Sequence, residues 1–213
     1  MTIAARGIML SCHHHTPMTL CVNDHIGDLE GDALERALAF LPSWRRERAL
    51  AYRHREGQLQ CALAYVELCR ALALRGVDVT RPRFEWGEHG KPSLPECPGL
   101  HFSLSHCRVA VGCLLSSHPC GLDLETIRPL KPALVRRTMN AQEQERIFSS
   151  PTPEMEFTSL WTRKEAVCKL LGTGITDSLP DTLGMAERAH VRLHTVCNPG
   201  RGYVLSTAEG AGE

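Results

Sequence analysis

The chain has 213 residues, 43% of them hydrophobic and 23% charged, and its 24 Lys plus Arg balance 24 Asp plus Glu to a net charge of zero. That length supports a core without metal or disulfide staples. The composition excludes disorder, and neutrality excludes a wholesale basic face for nucleic acid. Residues 3–10 read as a strand, with no signal-peptide h-region or cleavage pattern. No stretch approaches the roughly 18 apolar residues of a membrane span. A cytoplasmic protein is expected, with no membrane and no nucleic acid among its partners. The ten cysteines include no CxxC pair and sit singly, mostly in apolar runs, which predicts reduced, buried thiols. Cys12 with His13, His14 and His15 reads as a surface loop, because adjacent histidines diverge.

The spacing predicts a helix over 31–41, with Asp32 near its start and Pro42 at its end. Ser43 is placed to cap a basic helix, WRRERALAYRHRE, which Gly57 breaks. A third helix, 58–75, carries Leu59, Leu63, Val66 and Ala73 on one side, and Gly76 closes it. RFEWGEHGKPSLPECPG is dense in Pro and Gly and reads as a short strand, a turn at Gly90–Pro92 and a loop. Apolar strands are expected at 100–104, 109–116 and 120–125, helices at 131–148 and 154–171, and two weaker strands near 190–196 and 202–206. Helices before strands, twice over, predict an α+β chain of two similar halves, 1–115 and 116–213. GIMLSCH at 7–13 faintly echoes GCLLSSH at 112–118.

Four segments carry chemistry. In Gly121-Leu122-Asp123-Leu124-Glu125, strand alternation sends Asp123 and Glu125 to one side and both leucines to the other. Two such carboxylates hold a hard cation between them, share a proton, or face solvent. In Trp161-Thr162-Arg163-Lys164-Glu165-Ala166-Val167-Cys168-Lys169, Glu165 and Lys169 lie one helical turn apart. They read either as a metal-and-phosphate pair or as a surface ion pair, with a tight turn at Gly172-Thr173-Gly174. Phe102-Ser103-Leu104-Ser105-His106 offers hydroxyls and an imidazole to phosphate oxygens, or a structural histidine. Arg45 and Arg48 share a face of the basic helix, and Lys91 in Gly90-Lys91-Pro92 is a further cation on a rigid turn. No GxxxxGK[ST] loop is present, which counts against a nucleoside triphosphatase.

HGKPSL, FSLSH, GLDLE and WTRKEAVCK, in that order across residues 89–174, resemble the 4′-phosphopantetheinyl transferases of the larger, monomeric kind that activate peptide and polyketide synthetases. The resemblance implies a pseudo-dimer of two α+β halves with the active site at their interface. The N-terminal half would supply basic nucleotide-phosphate-binding helices and strands, and the C-terminal half Mg²⁺-binding carboxylates and carrier-facing helices. It implies transfer of phosphopantetheine from coenzyme A to a serine of an apo acyl, peptidyl or aryl carrier protein, releasing adenosine 3′,5′-bisphosphate. By position, Asp123, Glu125 and Glu165 match the Mg²⁺ ligands and Lys169 the lysine that meets the coenzyme A phosphates. Ser105 and His106 match residues near the 3′-phosphate, Arg45 and Arg48 those for the nucleotide phosphates, and Lys91 and Pro92 the adenine end. Glu143 matches a glutamate proposed as general base, a role a Mg²⁺-bound water could also fill. The sequence departs from the pattern at Gln60-Cys61, where the family often has Arg followed by Ser or Thr. The competing readings are another Mg²⁺-dependent phosphotransfer or hydrolysis enzyme, and a catalytically silent nucleotide- or carrier-binding homologue.

Overall fold

A computed structural model describes residues 18–29, 31–87, 90–174 and 178–210. The expected strand at 3–10, the Cys12–His15 run, the 7–13 arm of the echo and His89 at the head of HGKPSL lie outside the described residues. The elements run β1 (Thr19–Asn23), α1 (Ala33–Phe40), α2 (Ser43–Leu50), α3 (Arg55–Leu74), β2 (Glu85–Trp86), β3 (Pro92–Ser93), β4 (His101–His106) and β5 (Val111–Ser116). They continue with β6 (Cys120–Thr126), α4 (Pro132–Thr138), α5 (Ala141–Ser149), α6 (Pro153–Leu171), α7 (Thr182–Arg188), β7 (Arg192–Asn198) and β8 (Tyr203–Glu209). The chain is α+β, with antiparallel sheets.

The two main sheets have three strands each, in the orders β1-β5-β4 and β6-β8-β7. Each therefore places its third strand between its first and second. Each also inserts its longest helix, α3 with 20 residues or α6 with 19, between its first and second strands. The first core packs α3 residues Cys61, Tyr65, Leu68 and Leu72 on Phe102, Cys113 and Leu115 of the first sheet. A second core joins Leu20, Val22 and Leu114 to Leu122, Leu124, Tyr203 and Leu205, and so binds one sheet to the other. Among the described residues no helix is long and apolar enough to cross a membrane. The nine described cysteines are free, and all but Cys69 and Cys197 are buried.

Several elements differ from the sequence expectation. WRRERALAYRHRE is not one helix: α2 stops at Leu50 and α3 already begins at Arg55, with Gly57 inside it. A Cβ on Gly57 would approach Tyr52 Cδ1 to 2.9 Å, so the glycine serves ring packing and does not break the helix. Ser43 is the first residue of α2; its N-cap is Pro42, with no side-chain cap bond. On α3, Leu63 is buried but Ala73 is exposed and Val66 only half-buried. The buried stripe runs through Cys61, Ala64, Tyr65, Leu68 and Leu72, and its small residues hide it from a large-residue count. The helix expected over 131–148 divides at Asn140, whose Oδ1 accepts from the Glu143 N–H at 2.9 Å while the Glu143 carboxylate accepts from the Asn140 N–H at 2.9 Å. This reciprocal cap satisfies two helix-end donors and starts α5 afresh. Strand β1 and helix α7 are elements that the sequence pattern does not mark.

Two contacts fix the groove in which the acidic residues of β6 meet α6. Facing edge strands β4 and β6 are joined by hydroxyls: Ser103 Oγ accepts from the Leu122 N–H at 2.9 Å and Ser105 Oγ from the Leu124 N–H at 3.1 Å. Across β6, helix α6 approaches so closely that a Cβ on Gly121 would lie 1.9 Å from the Ala166 carbonyl oxygen and 2.6 Å from the Leu170 nitrogen. Both obstacles are backbone. Gly121→Ala is therefore expected to destabilise by more than about 3 kcal/mol, beyond ordinary overpacking. Gly31→Ala, where a Cβ meets nothing within 4 Å, is expected to stay within about 0.5 kcal/mol of the parent. Denaturant unfolding of the two variants checks this.

Candidate active site

The alternation along β6 buries Leu122 and Leu124 completely and turns Asp123 and Glu125 toward the groove between β4 and α6. On α6, Trp161, Glu165 and Lys169 recur every four residues and form one stripe. These five side chains, with Leu104, Ser105 and His106 of β4, line a cavity of about 340 Å³. Lys169 Nζ donates to Asp123 Oδ1 at 2.7 Å and to Ser105 Oγ at 3.0 Å, and the Ser105 hydroxyl donates to Asp123 Oδ1 at 3.1 Å. Gly172, left-handed at φ 73°, ends α6 just beyond Lys169.

The cavity holds more negative than positive charge. Burial first, and the Asp123 charge second, push both the Glu125 and the Glu165 carboxyls above their usual range. The Trp161 side chain hydrogen-bonds Glu125 and pulls the other way. Asp123 Oδ2 and Glu165 Oε1 are buried and have no hydrogen-bond partner. Buried acceptors left unmatched cost free energy, so these two oxygens ask for a ligand. Hard, anionic oxygens suit Mg²⁺, and the donor set fits that ion. Among the described residues no three His, Cys, Asp or Glu side chains converge as a formed metal cluster; the partner of Asp123 is the Lys169 ammonium.

A neighbouring cavity of about 230 Å³ shares Leu104 and His106 and is lined by Arg45, Arg48, Tyr52, Trp86 and Pro92. Arg45 is buried, with Nη2 donating to the Cys61 carbonyl at 3.0 Å and the guanidinium lying over the Tyr65 and Phe84 rings. Its Nε has no partner, and burial draws its pKa down. Among the described residues it has no carboxylate partner. A buried guanidinium in this condition is a receptor for an anion. His106 is held below its usual pKa by burial and then by the Lys169 and Arg45 charges. At the departure from the family pattern, Gln60 donates to the Cys107 carbonyl at 3.0 Å and Cys61 gives its carbonyl to Arg45.

The sequence-predicted residues do not all meet. Lys91 and Pro92 line a third cavity, of about 270 Å³, with Glu165, Lys169 and Gly172. The Lys91 ammonium is not free, however: it donates to the Leu170 carbonyl at 2.7 Å and the Cys120 carbonyl at 3.2 Å, closing the end of α6. Its charge serves the helix terminus, and its stem faces the cavity. Glu143, expected as a general base, is placed apart from the three carboxylates. It caps α5 and pairs at 2.6 Å with Lys164, and it is absent from the residues lining the carboxylate cavity. Lys164, missed in the sequence, is fully buried and also donates to the carbonyls of Thr138, Leu179 and Pro180, each at 3.0 Å. Its neighbour Glu165 projects the other way because successive helical residues are about 100° apart. Trp161 and Arg128 were also missed. With Glu125, Lys131, Leu134 and Phe157 they line a fourth cavity of about 200 Å³ that adjoins the carboxylates. The signal for Trp161 was present: it lies one turn before Glu165.

The family model of the 4′-phosphopantetheinyl transferase superfamily matches residues 119–203, the stretch that carries all three carboxylates and Lys169. The chain is 31% identical over 164 residues to the 4′-phosphopantetheinyl transferase Sfp of Bacillus subtilis (strain 168), covering 75% of this chain and 70% of that relative. The chain belongs to the 4′-phosphopantetheinyl transferase superfamily. It is also 38% identical over 98 residues to the 4′-phosphopantetheinyl transferase psf-1 of Bacillus pumilus, covering 45% and 42% of the two chains. With the 4′-phosphopantetheinyl transferase AcpT of Escherichia coli (strain K12) it shares 39% identity over 99 residues, covering 43% and 49%.

The geometry of Glu143 has a direct consequence for this superfamily member. Glu143→Gln is expected to lower the unfolding midpoint while leaving the pH profile of transfer unchanged, because the carboxylate is engaged by Lys164 at 2.6 Å. Lys164→Ala leaves the Glu143 charge unpaired and is expected to cost roughly 3–5 kcal/mol. Paired pH–rate profiles and thermal unfolding curves check both.

Proposed function

We propose that this chain transfers the 4′-phosphopantetheine arm of coenzyme A to a serine of an apo carrier protein and releases adenosine 3′,5′-bisphosphate. One observation carries the site assignment: two unmatched buried carboxylate oxygens, on Asp123 and Glu165, stand beside Lys169 in a cavity that runs on to the uncompensated Arg45. An anionic cluster next to a cationic one suits a diphosphate with its counter-ion. Asp123, Glu125 and Glu165 would hold Mg²⁺, which supplies neutralisation of charge growing on the leaving bisphosphate.

The chain's own residues do the rest. Lys169 meets phosphate oxygens as a point charge. Arg45, Arg48 and His106 take the nucleotide phosphates, His106 as a neutral donor in keeping with its lowered pKa, while Ser105 beside them positions Asp123 and Lys169. Pro92 and the stem of Lys91 line the adenine end. The serine oxygen bonds to the phosphorus that bears the pantetheine arm as the bridging P–O bond breaks, and the hydroxyl proton passes to a carboxylate. Glu143 is committed to Lys164 and stands outside the carboxylate cavity.

The carrier is proposed to approach through the fourth cavity. Segment 126–138, TIRPLKPALVRRT, contains four basic residues and no acidic one in a chain of zero net charge, and Arg128, Lys131, Arg136 and Arg137 are exposed. The repeated strand order supports two halves that part between β5 and β6, just beyond the expected 115/116 boundary, and a pseudo-dimer, in which one chain supplies both halves of the site and acts as a monomer. Free thiols on the described residues accord with a cytoplasmic setting.

Incubation with apo carrier, coenzyme A and Mg²⁺ is expected to add about 340 Da to the carrier, the mass of one phosphopantetheine, as read by intact-protein mass spectrometry. Asp123→Ala should abolish the gain with an unchanged circular dichroism spectrum; normal transfer by that variant would overturn the cluster assignment. Arg128→Glu combined with Lys131→Glu is expected to raise KM for the carrier about tenfold and leave KM for coenzyme A unmoved.

A further inference from the structure

We propose that Lys169 is the counter-ion a divalent cation must displace from Asp123, so that cation and diphosphate bind as a linked pair, each preparing the site for the other. The inference rests on the reading of the site as a cation-and-diphosphate centre. It goes beyond that reading by assigning the coupling of the two ligands to one side chain.

The argument starts from occupancy of oxygens. Asp123 Oδ1 accepts from Lys169 at 2.7 Å and from Ser105 at 3.1 Å. Ser105 Oγ has no room for more, since it accepts from the Leu124 N–H and from Lys169 while donating to Asp123. The unmatched oxygens, Asp123 Oδ2 and Glu165 Oε1, are therefore the free positions beside an ammonium. A dication settling on them stands within a few ångströms of that ammonium. Like charges so close, away from bulk water, repel strongly.

The same geometry offers the lysine a way out. Its side chain is only about two-thirds buried, at 32% exposure. It lines two cavities: the carboxylate cavity, and the one bounded by Gly90, Lys91, Pro92 and Gly172. A four-carbon stem rooted on α6 can carry Nζ from the first toward the second, where a diphosphate would supply anionic oxygens in place of Asp123. A cation arriving alone strands the ammonium without an anion. A diphosphate arriving alone meets three carboxylates against one lysine. Bound together, each removes the other's penalty, and the coupling is reciprocal.

The test uses Mn²⁺ as the probe and electron paramagnetic resonance of free Mn²⁺ as the readout, with no carrier present and hence no turnover. For the parent protein, Mn²⁺ is expected to bind at least about tenfold more tightly with coenzyme A than without, a modest fraction of what full repulsion between adjacent charges would give. Lys169→Met is expected to bind Mn²⁺ alone about tenfold more tightly than the parent, with the enhancement by coenzyme A reduced to less than about threefold. Lys169→Gln keeps a hydrogen-bond donor but no charge. It should behave as Lys169→Met does, which separates charge from packing, and it carries the test by itself if the methionine variant does not fold. Parent affinity indifferent to coenzyme A, or a Lys169→Gln protein that binds Mn²⁺ no more tightly than the parent, overturns the proposal. A protein that shows this coupling yet never adds mass to a carrier refutes the transfer reading and leaves the exchange at Lys169 standing. Transfer without the coupling does the reverse.

Discussion

The closeness of α6 to β6 at Gly121 governs the rest of the molecule. With no side chain there, the Ala166 carbonyl and the Leu170 nitrogen come up against the strand backbone. That contact fixes the rotation and height of the helix, and with them the stripe of Trp161, Glu165 and Lys169. The two carboxylates of β6 and the one of α6 come from elements some forty residues apart in sequence, and a helix held even one side chain farther out would separate them. Glycine in GLDLE is thus as much a part of the site as the acids that follow it.

A second constraint acts from the opposite side. β4 and β6 are edge strands of different sheets, and an unpaired edge is normally covered or blunted. Here serine hydroxyls at 103 and 105 satisfy the outward N–H groups of Leu122 and Leu124. The arrangement keeps the two sheets distinct while locking their register. It also delivers Ser105 to Asp123 and His106 to the rim of the basic cavity. Structural and chemical duties fall on the same short strand, which explains how FSLSH can carry both.

Much of this was legible in the sequence. Period-two alternation placed Asp123 opposite Leu122 and Leu124, and period-four spacing placed Glu165 with Lys169; both depend on local geometry alone. Helix boundaries were read less well where side chains outvote composition. Gly57 looked like a break but serves the Tyr52 ring, and Asn140 with Glu143 formed a cap inside what read as one continuous helix. The roles of Lys91, Glu143 and Lys164 were beyond local reading, because each is decided by partners distant in sequence: Lys91 by the end of α6, and Glu143 and Lys164 by each other. Charge type can be read from a motif, but which charges are already neutralised depends on tertiary neighbours.

The bond from Lys91 to the end of α6 has a mechanical meaning. It runs from the β2–β3 hairpin to carbonyls of the catalytic helix and of β6, and so acts as a strut across the cleft. Lifting the hairpin off α6 and β6 would strand an ammonium and leave two carbonyls bare. Away from the strut, the rim carries the half-exposed rings of Trp86 and Tyr52, which rest edge-on against Trp44 and Phe84 and against His106.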